Sequence, residues 1–300
     1  MEMADVAIVG GGPAGSTCAA LCAAAGLRTI LLEREKFPRE KVCGDCLNPA
    51  CWPILRRLGI EEGVRNLPHG KLDAVEFITI GGRKTRVELP RGDQGEIAVK
   101  RSLLDNLLLA RARELGTDIH EESTVTALTG RTSGNWKIDV VARQFGARFL
   151  IAADGRNSTV ARLCNLLPRP RRERVALQAH IPLPRDFGNR VVLQFLPQGY
   201  SGQAPVNENE LNLCLVGTPP TISSLRKWAE RNFGIAFDQP WRTITPLTRA
   251  PVPAAHGSLL FIGDAARVVE PFTGEGIYYA LRSAELAAET AVKIVRGENR

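Results

Sequence analysis

The chain has 300 residues, 44% apolar and 24% charged, which suits one large core or two modest ones and excludes wholesale disorder. No apolar run approaches the roughly 18–20 residues of a bilayer span, the start MEMADVAIVGGG lacks a signal peptide's basic region, and seven scattered cysteines are no secreted disulfide framework, so a reducing, cytoplasmic setting is expected. The net charge of +7 raises nucleic acid, yet much of it sits in the run PRPRRER at 168–174 without zinc-finger spacing or interleaved aromatics, so a solvated loop and no nucleic acid are expected.

Residues 5–9 (DVAIV) predict a parallel strand buried on both faces. It runs into Gly10-Gly11-Gly12-Pro13-Ala14-Gly15, then an alanine-rich helix through Ala25 that Gly26 stops. A second strand, 29–32, ends at Glu33. In this unit Gly10 permits a tight turn, Gly12 lets a pyrophosphate reach bare backbone, and Gly15 lets the helix pack close to the sheet. The helix N-terminus offers unpaired N–H groups to phosphate. Glu33 can accept hydrogen bonds from both hydroxyls of an adenosine ribose. A dinucleotide site is expected, although this unit does not distinguish NAD from FAD.

Downstream, 74–80 and 83–89 read as a hairpin turning at Gly81-Gly82. Residues 101–115 read as a helix ending at Gly116. Strands near 123–128 and 136–142 around a turn at 130–134 suggest a β-meander. Residues 150–158 (LIAADGRNS) give a strand entering a polar glycine turn. Strand signals dominate 174–217 (VALQAHI, VVLQFL, LNLCLV), and 221–232 reads as a helix. A buried strand at 258–262 leads to Gly263-Asp264-Ala265-Ala266, then Pro271-Phe272-Thr273-Gly274-Glu275-Gly276 and a long helix from Ile277 to about Val295.

Taken in order, the motifs at 10–15, 154–155, 263–266 and 271–276 resemble those of the FAD-dependent oxidoreductases of the aromatic-hydroxylase superfamily. The likeness spans residues 4 to about 290. It is greatest for the geranylgeranyl-reductase branch and the related flavin halogenases, through FPREKVCGD at 37–45. That segment is similar to the P-x-x-K-x-C-G segment which brings a cysteine near the isoalloxazine ring in the reductases. The resemblance implies an α/β fold with a Rossmann-like FAD-binding domain of the glutathione-reductase type 2, interleaved with a β-sheet-rich substrate domain. The elements place the FAD domain at 1–70, 96–171 and 251–300 and the substrate domain at 71–95 and 172–250, with the flavin ring at their junction.

By the same resemblance Gly10, Gly12, Pro13, Ala14, Gly15 and Glu33 hold the ADP half of FAD, with Arg34 beside the adenine. Arg101 lies near the pyrophosphate and ribityl chain, and Gly263 with Asp264 binds the ribityl hydroxyls. Asp154 and Gly155 contact FAD and buttress its site. Pro271, Gly274, Glu275, Gly276 and Ile277 form the loop and helix start whose N–H groups would stabilise negative charge on a reduced flavin.

Cys43 is the candidate catalytic residue, facing the flavin. With Cys46 it forms a C-x-x-C that could be a redox dithiol if a cation such as Lys41 lowered a thiol pKa; a fourth ligand at zinc or iron–sulfur spacing is missing, so no metal is expected. Cys18 and Cys22 read as core packing. His180, inside a predicted strand, is the histidine worth testing. With no second G-x-G-x-x-G, electrons would come from transiently docking NAD(P)H or a partner protein.

The aromatic Y-x-W-x-F-P segment of the reductases is replaced by GYSGQAP at 199–205, and the halogenase W-x-W-x-I-P motif is absent. The sequence given ends soon after the last helix, short of the C-terminal extension many relatives carry. The expected activity is transfer of reducing equivalents from FAD to a small apolar or aromatic substrate. The alternatives are a flavin monooxygenase or halogenase-like enzyme using a C4a-hydroperoxide, and a flavoprotein that acts on or scaffolds a protein partner, with peripheral membrane contact a further possibility.

Overall fold

The computed structural model describes residues 3–92, 95–130, 135–141, 143–169, 174–236, 238–266 and 271–298. The arginines at 171 and 172 and the predicted turn at 131–134 lie outside them. Among the described residues no helix is long and apolar enough to cross a membrane.

The β-branched run at the start becomes the strand Met3–Val9, with Val6, Ala7 and Ile8 fully buried. It lies at the centre of an eight-stranded sheet. Five parallel strands run in the order Leu259–Phe261, Arg143–Ala152, Met3–Val9, Thr29–Leu32 and Asp118–His120. Alternation decides which core each side chain joins. Val6 and Ile8 pack with the helices Pro13–Ala24, Arg101–Glu114 and Gly276–Val295 through Cys18, Leu104 and Leu281. Ala7 and Val9 pack on the other side with Val125, Trp136 and Ile138. The last three belong to the meander, in which Val125–Thr129 pairs with Trp136–Val140 and that strand with the first half of Arg143–Ala152.

Small residues let the first and last helices approach closely. Cys18, Ala19 and Cys22 meet a final helix whose Leu281, Ala284, Ala288 and Ala291 are buried. Cys18 and Cys22 are core packing, as expected.

Register fixes where the site forms. Val9 lies opposite both Leu32 and Ala152, and Ala152 opposite Phe261. The four strands therefore end level, and the loops beginning at Gly10, Glu33, Ala153 and Ile262 emerge together at the carboxyl edge, where open α/β sheets bind ligands.

A seven-stranded sheet follows the order Arg242–Ile244, Val175–Pro182, Glu210–Gly217, Gly199–Pro205, Arg190–Leu196, Ala74–Ile78 and Lys84–Glu88. The 74–88 hairpin thus joins strands far away in sequence, by parallel pairing of Ala74–Ile78 with Arg190–Leu196. One face packs Leu177, Ala179 and Leu213 on Leu225 and Ala229 of the helix Ile222–Phe233. The opposite face carries Gln178, His180, Asn212 and Cys214, placed side by side by the pairs Gln178–Cys214 and His180–Asn212. A three-stranded sheet of Cys46–Leu47, Glu96–Val99 and His69–Leu72 lies against the Gly199–Pro205 strand. There a Cβ on Gly70 would stand 1.8 Å from the Pro205 carbonyl oxygen.

Candidate functional site

The glycine loop is shaped by backbone contact. Gly10 has φ +104, and a Cβ on it would lie 2.5 Å from the Ala153 carbonyl oxygen. A Cβ on Gly15 would lie 1.8 Å from Gly10 O. Gly12 precedes the Pro13–Ala24 helix without any side-chain cap, Pro13 opens the helix, and the first turn holds no acidic residue. Ala14 touches the position a Cβ on Gly263 would take, at 3.0 Å. The helix therefore directs its positive end into the loop with no acidic residue in its own first turn. Glu33 is buried; its Oε2 accepts from Gly11 N at 2.6 Å and Oε1 from Glu35 N at 2.9 Å. Those bonds fix the carboxylate at the strand end and leave lone pairs on both oxygens. Arg34 is exposed and pairs with Glu35 at 3.3 Å.

Four cations cluster beside this loop, with Arg39 against Gly12 and Arg101, Arg156 and Arg39 all acting on Lys41. Arg101 grips the fully buried Asp105 through Nε at 2.7 Å and Nη2 at 2.8 Å, and Arg39 Nη1 reaches the same carboxylate at 3.1 Å. Burial would lower the Arg101 pKa, but Asp105 and Cys43 raise it well beyond its usual range. Arg39 stacks on Phe37 at 4.6 Å and places Nη2 3.6 Å from a Cβ position on Gly12. Arg156 Nη2 reaches Asp264 Oδ2 at 3.1 Å, whereas its buried Nε and Nη1 have no partner among the described residues. Lys41 Nζ lies 3.8 Å from a Cβ position on Gly155. Burial, then Arg101, Arg156 and Arg39, push its pKa down to about 8, with Asp264 opposing them.

Asp105 and Asp264 are shared by three arginines, and among the described residues no ion pair holds Lys41. Uncapped helix N–H groups, orphaned guanidinium nitrogens and a glycine loop bare of side chains make a site for a polyanion that lies against backbone. The two phosphates and ribityl chain of FAD fit that description.

Asp154 serves the adjoining turn. Its Oδ2 accepts from Thr159 N at 2.6 Å and Val160 N at 3.1 Å, while Ser158 Oγ accepts from Ala161 N at 2.9 Å. Burial raises its pKa against those hydrogen bonds. Gly155 follows at φ +81 and Gly263 at φ +56, with Gly263 N donating to Ser283 Oγ at 2.9 Å. Pro271 begins a short 3-10 turn, Glu275 precedes the helix Gly276–Val295, and Ile277 is buried. Gly274, at φ +74, would place a Cβ 3.6 Å from that of Cys46.

The Cys43–Cys46 loop is therefore wedged between the glycine turn at 274 and the polar face of the seven-stranded sheet. The Cys43 carbonyl accepts from Gln178 Nε2 and Asn212 Nδ2, both at 2.8 Å, and from the Cys214 thiol at 3.3 Å. Asp45 adopts φ +63; its Oδ2 lies 2.9 Å from His180 Nε2 and accepts from Asn212 Nδ2 at 2.9 Å. Burial raises the Asp45 pKa, opposed by His180 and Arg101. His180 holds the loop rather than facing open solvent. The expectation that a cation lowers the dithiol pKa needs correction. Burial raises the Cys43 thiol, Arg101 rather than Lys41 opposes it, and burial prevails. Cys46 is raised further, again by burial. Both thiols are thus held protonated.

Beside this loop stands an aromatic cluster that the sequence did not announce. Phe272, from the 271–276 turn, meets Tyr200 edge-on at 5.5 Å, Phe195 at 5.6 Å and Phe77 at 6.5 Å. These three partners come from separate strands of the seven-stranded sheet. Arg39, Lys41, Asp105 and Arg156 were likewise not singled out as FAD contacts. A basic residue six to eight positions after Glu33 was the available signal for the first two.

The family described as FAD binding domain matches residues 3–181. The chain belongs to that family. It is a flavoprotein with FAD as its cofactor, in a family of FAD-dependent reductases and monooxygenases. The sequence is 29% identical to conditioned medium factor receptor 1 of Dictyostelium discoideum, over 95% of this chain and 62% of that protein. It is 28% identical to menaquinone reductase of Mycolicibacterium smegmatis, over 95% of this chain and 76% of that one. Against digeranylgeranylglycerophospholipid reductase 1 of Methanopyrus kandleri identity is 28%, over 98% and 82%. The fold matches that of the flavin-dependent brominase Bmp2 with a TM-score of 0.85 at 21% identity, covering 99% of this chain and 80% of that one. The Rossmann-like α/β architecture and the reductase and halogenase likeness expected from the motifs both hold.

Proposed function

We propose that the chain uses FAD, reduced by NAD(P)H or a partner protein, to reduce an apolar substrate held between the Cys43 loop and the seven-stranded sheet. The carrying observation is continuity. The glycine loop meets Gly263 through Ala14, and the 271–276 turn on the same side carries Gly274 against Cys46 and Phe272 against Phe77, Phe195 and Tyr200.

On this reading residues 1–70, 96–171 and 251–300 form the FAD domain and 71–95 with 172–250 the substrate domain. Gly10, Gly12, Pro13, Ala14 and Gly15 take the pyrophosphate, and Glu33 takes the ribose with Arg34 at the adenine. Arg101 and Arg156 neutralise phosphate charge, while Gly263 and Asp264 take the ribityl hydroxyls. Bound FAD supplies hydride transfer. Gly155, Gly274, Glu275 and Gly276 line the ring side, and Ile277 anchors the helix behind them. Asp154 braces the turn from below through its two backbone hydrogen bonds. Cys43, protonated and fixed at its carbonyl, presents a neutral thiol to the reacting region.

A long apolar chain is the substrate class favoured by two observations. Two relatives are named for menaquinone and for a digeranylgeranyl lipid, and the Phe272 cluster offers an aromatic wall. Phe272→Ala should raise KM for a prenylated quinone about tenfold, as expected for losing roughly 1–1.5 kcal/mol of aromatic contact. Its flavin spectrum should stay unchanged.

The deciding experiment reduces the holoenzyme anaerobically with NADPH, then mixes it with menaquinone or with oxygen in a stopped-flow instrument. Fast reoxidation by quinone and slow, featureless reoxidation by oxygen support the reductase. A long-lived oxygen-dependent absorbance together with inertness to quinone overturns it and favours a monooxygenase.

A further inference from the structure

Resting on the flavin reading above, we propose that Lys41 is an additional ligand for the anionic part of FAD and grips it only as an ammonium. FAD binding is then coupled to proton uptake.

Four segments converge on Lys41. Its own loop contributes Arg39, Glu40 and Cys43. The Arg101–Glu114 helix contributes Arg101 with Asp105. The turn after Arg143–Ala152 contributes Asp154, Gly155 and Arg156, and the turn after Leu259–Phe261 contributes Asp264. Asp105 is held by Arg101 and Arg39, and Asp264 by Arg156. Among the described residues no hydrogen bond or ion pair holds the Lys41 ammonium, which lies 3.8 Å from the Cβ position of Gly155. Among the described residues the nearby Arg156 Nε and Nη1 are buried without partners, although its Nη2 pairs with Asp264. The unpaired ammonium and the free edge of this guanidinium lie together beside the bare glycine backbone, where an anion would answer both.

Asp105 and Cys43 hold the Arg101 pKa above its usual range, and burial raises that of Cys43. Lys41, lowered to about 8, is the group that titrates. Without FAD it loses its proton above pH 8. Phosphate nearby restores the ammonium, so binding above pH 8 must take up a proton, and affinity must fall as pH rises. In the apo fold the sign reverses. The unfolded lysine keeps its proton to its ordinary 10.5 and the folded one only to about 8, so this group adds stability as pH rises between those values.

The test titrates apoprotein with FAD by flavin fluorescence at several pH values from 7 to 9. Wild type should weaken about tenfold between pH 7 and 9. Lys41→Arg should bind without that slope, and Lys41→Met should bind about tenfold more weakly at pH 7, also without slope. In parallel, apo Lys41→Met should melt above wild type at pH 7, with the gap narrowing toward pH 9. A flat wild-type profile, or the wild-type slope surviving in Lys41→Met, overturns the role of Lys41 while leaving the flavin site standing. Failure of wild type to bind FAD at any pH overturns the flavin reading itself.

Discussion

Gly15→Ala should abolish FAD retention and destabilise the fold by about 3 kcal/mol, the upper end of the usual cost of overpacking. The added Cβ would sit 1.8 Å from Gly10 O, 3.0 Å from Gly10 C and 3.1 Å from Ala153 Cβ. Two of these atoms are backbone, in the loop that must lie against phosphate, so no side-chain rotation relieves the clash. The first helix must withdraw from the sheet edge, and its N-terminal N–H groups leave the cradle with it. Gly26→Ala is the matched control. Gly26 has positive φ, at +83, where Gly15 is helical, and nothing lies within 4 Å of its Cβ position. It should cost about 1 kcal/mol of backbone strain and keep its flavin. Urea unfolding and flavin content after desalting measure both variants.

Asp105→Asn should destabilise the apoprotein by about 3 kcal/mol, because removing one side of a buried ion pair leaves the other uncompensated. Here two guanidiniums lose their counter-charge at once. Arg101 donates two hydrogen bonds to this carboxylate and Arg39 one, and Asp105 is fully buried. FAD would bring phosphate charge to the same arginines, so its addition should recover part of the loss. Urea unfolding with and without FAD reads this directly. An equal loss in both forms would mean that neither arginine faces the cofactor.

The parts of this arrangement that were plain in the sequence are those encoded locally. Gly10, Gly12, Gly15 and Glu33 lie within one strand–helix–strand unit, where composition alone fixes turn, cap and strand end. The final helix was equally plain, since its buried Ile277, Leu281, Ala284, Ala288 and Ala291 recur at helical spacing. Asp105 was not. On the page it is an ordinary acid one turn after an arginine, and only the fold brings Arg39 to its other side.

The clamp on Cys43 was hidden for a similar reason, since its donors lie 135, 169 and 171 residues away. The Gly199–Pro205 strand has no β-branched residue at all. It exists because its neighbours on both sides supply the ladder, an instance of tertiary pairing overriding propensity. The dithiol expectation failed because a nearby lysine is visible in sequence whereas desolvation is not. Phe272 was passed over as one residue of a glycine-rich loop, though it is the residue linking that loop to the sheet.

The visible spectrum of the purified chain after incubation with FAD and desalting tests the central claim most directly. A yellow protein with resolved flavin bands and stoichiometric FAD is the predicted result; a folded chain that stays colourless and retains no FAD would contradict it.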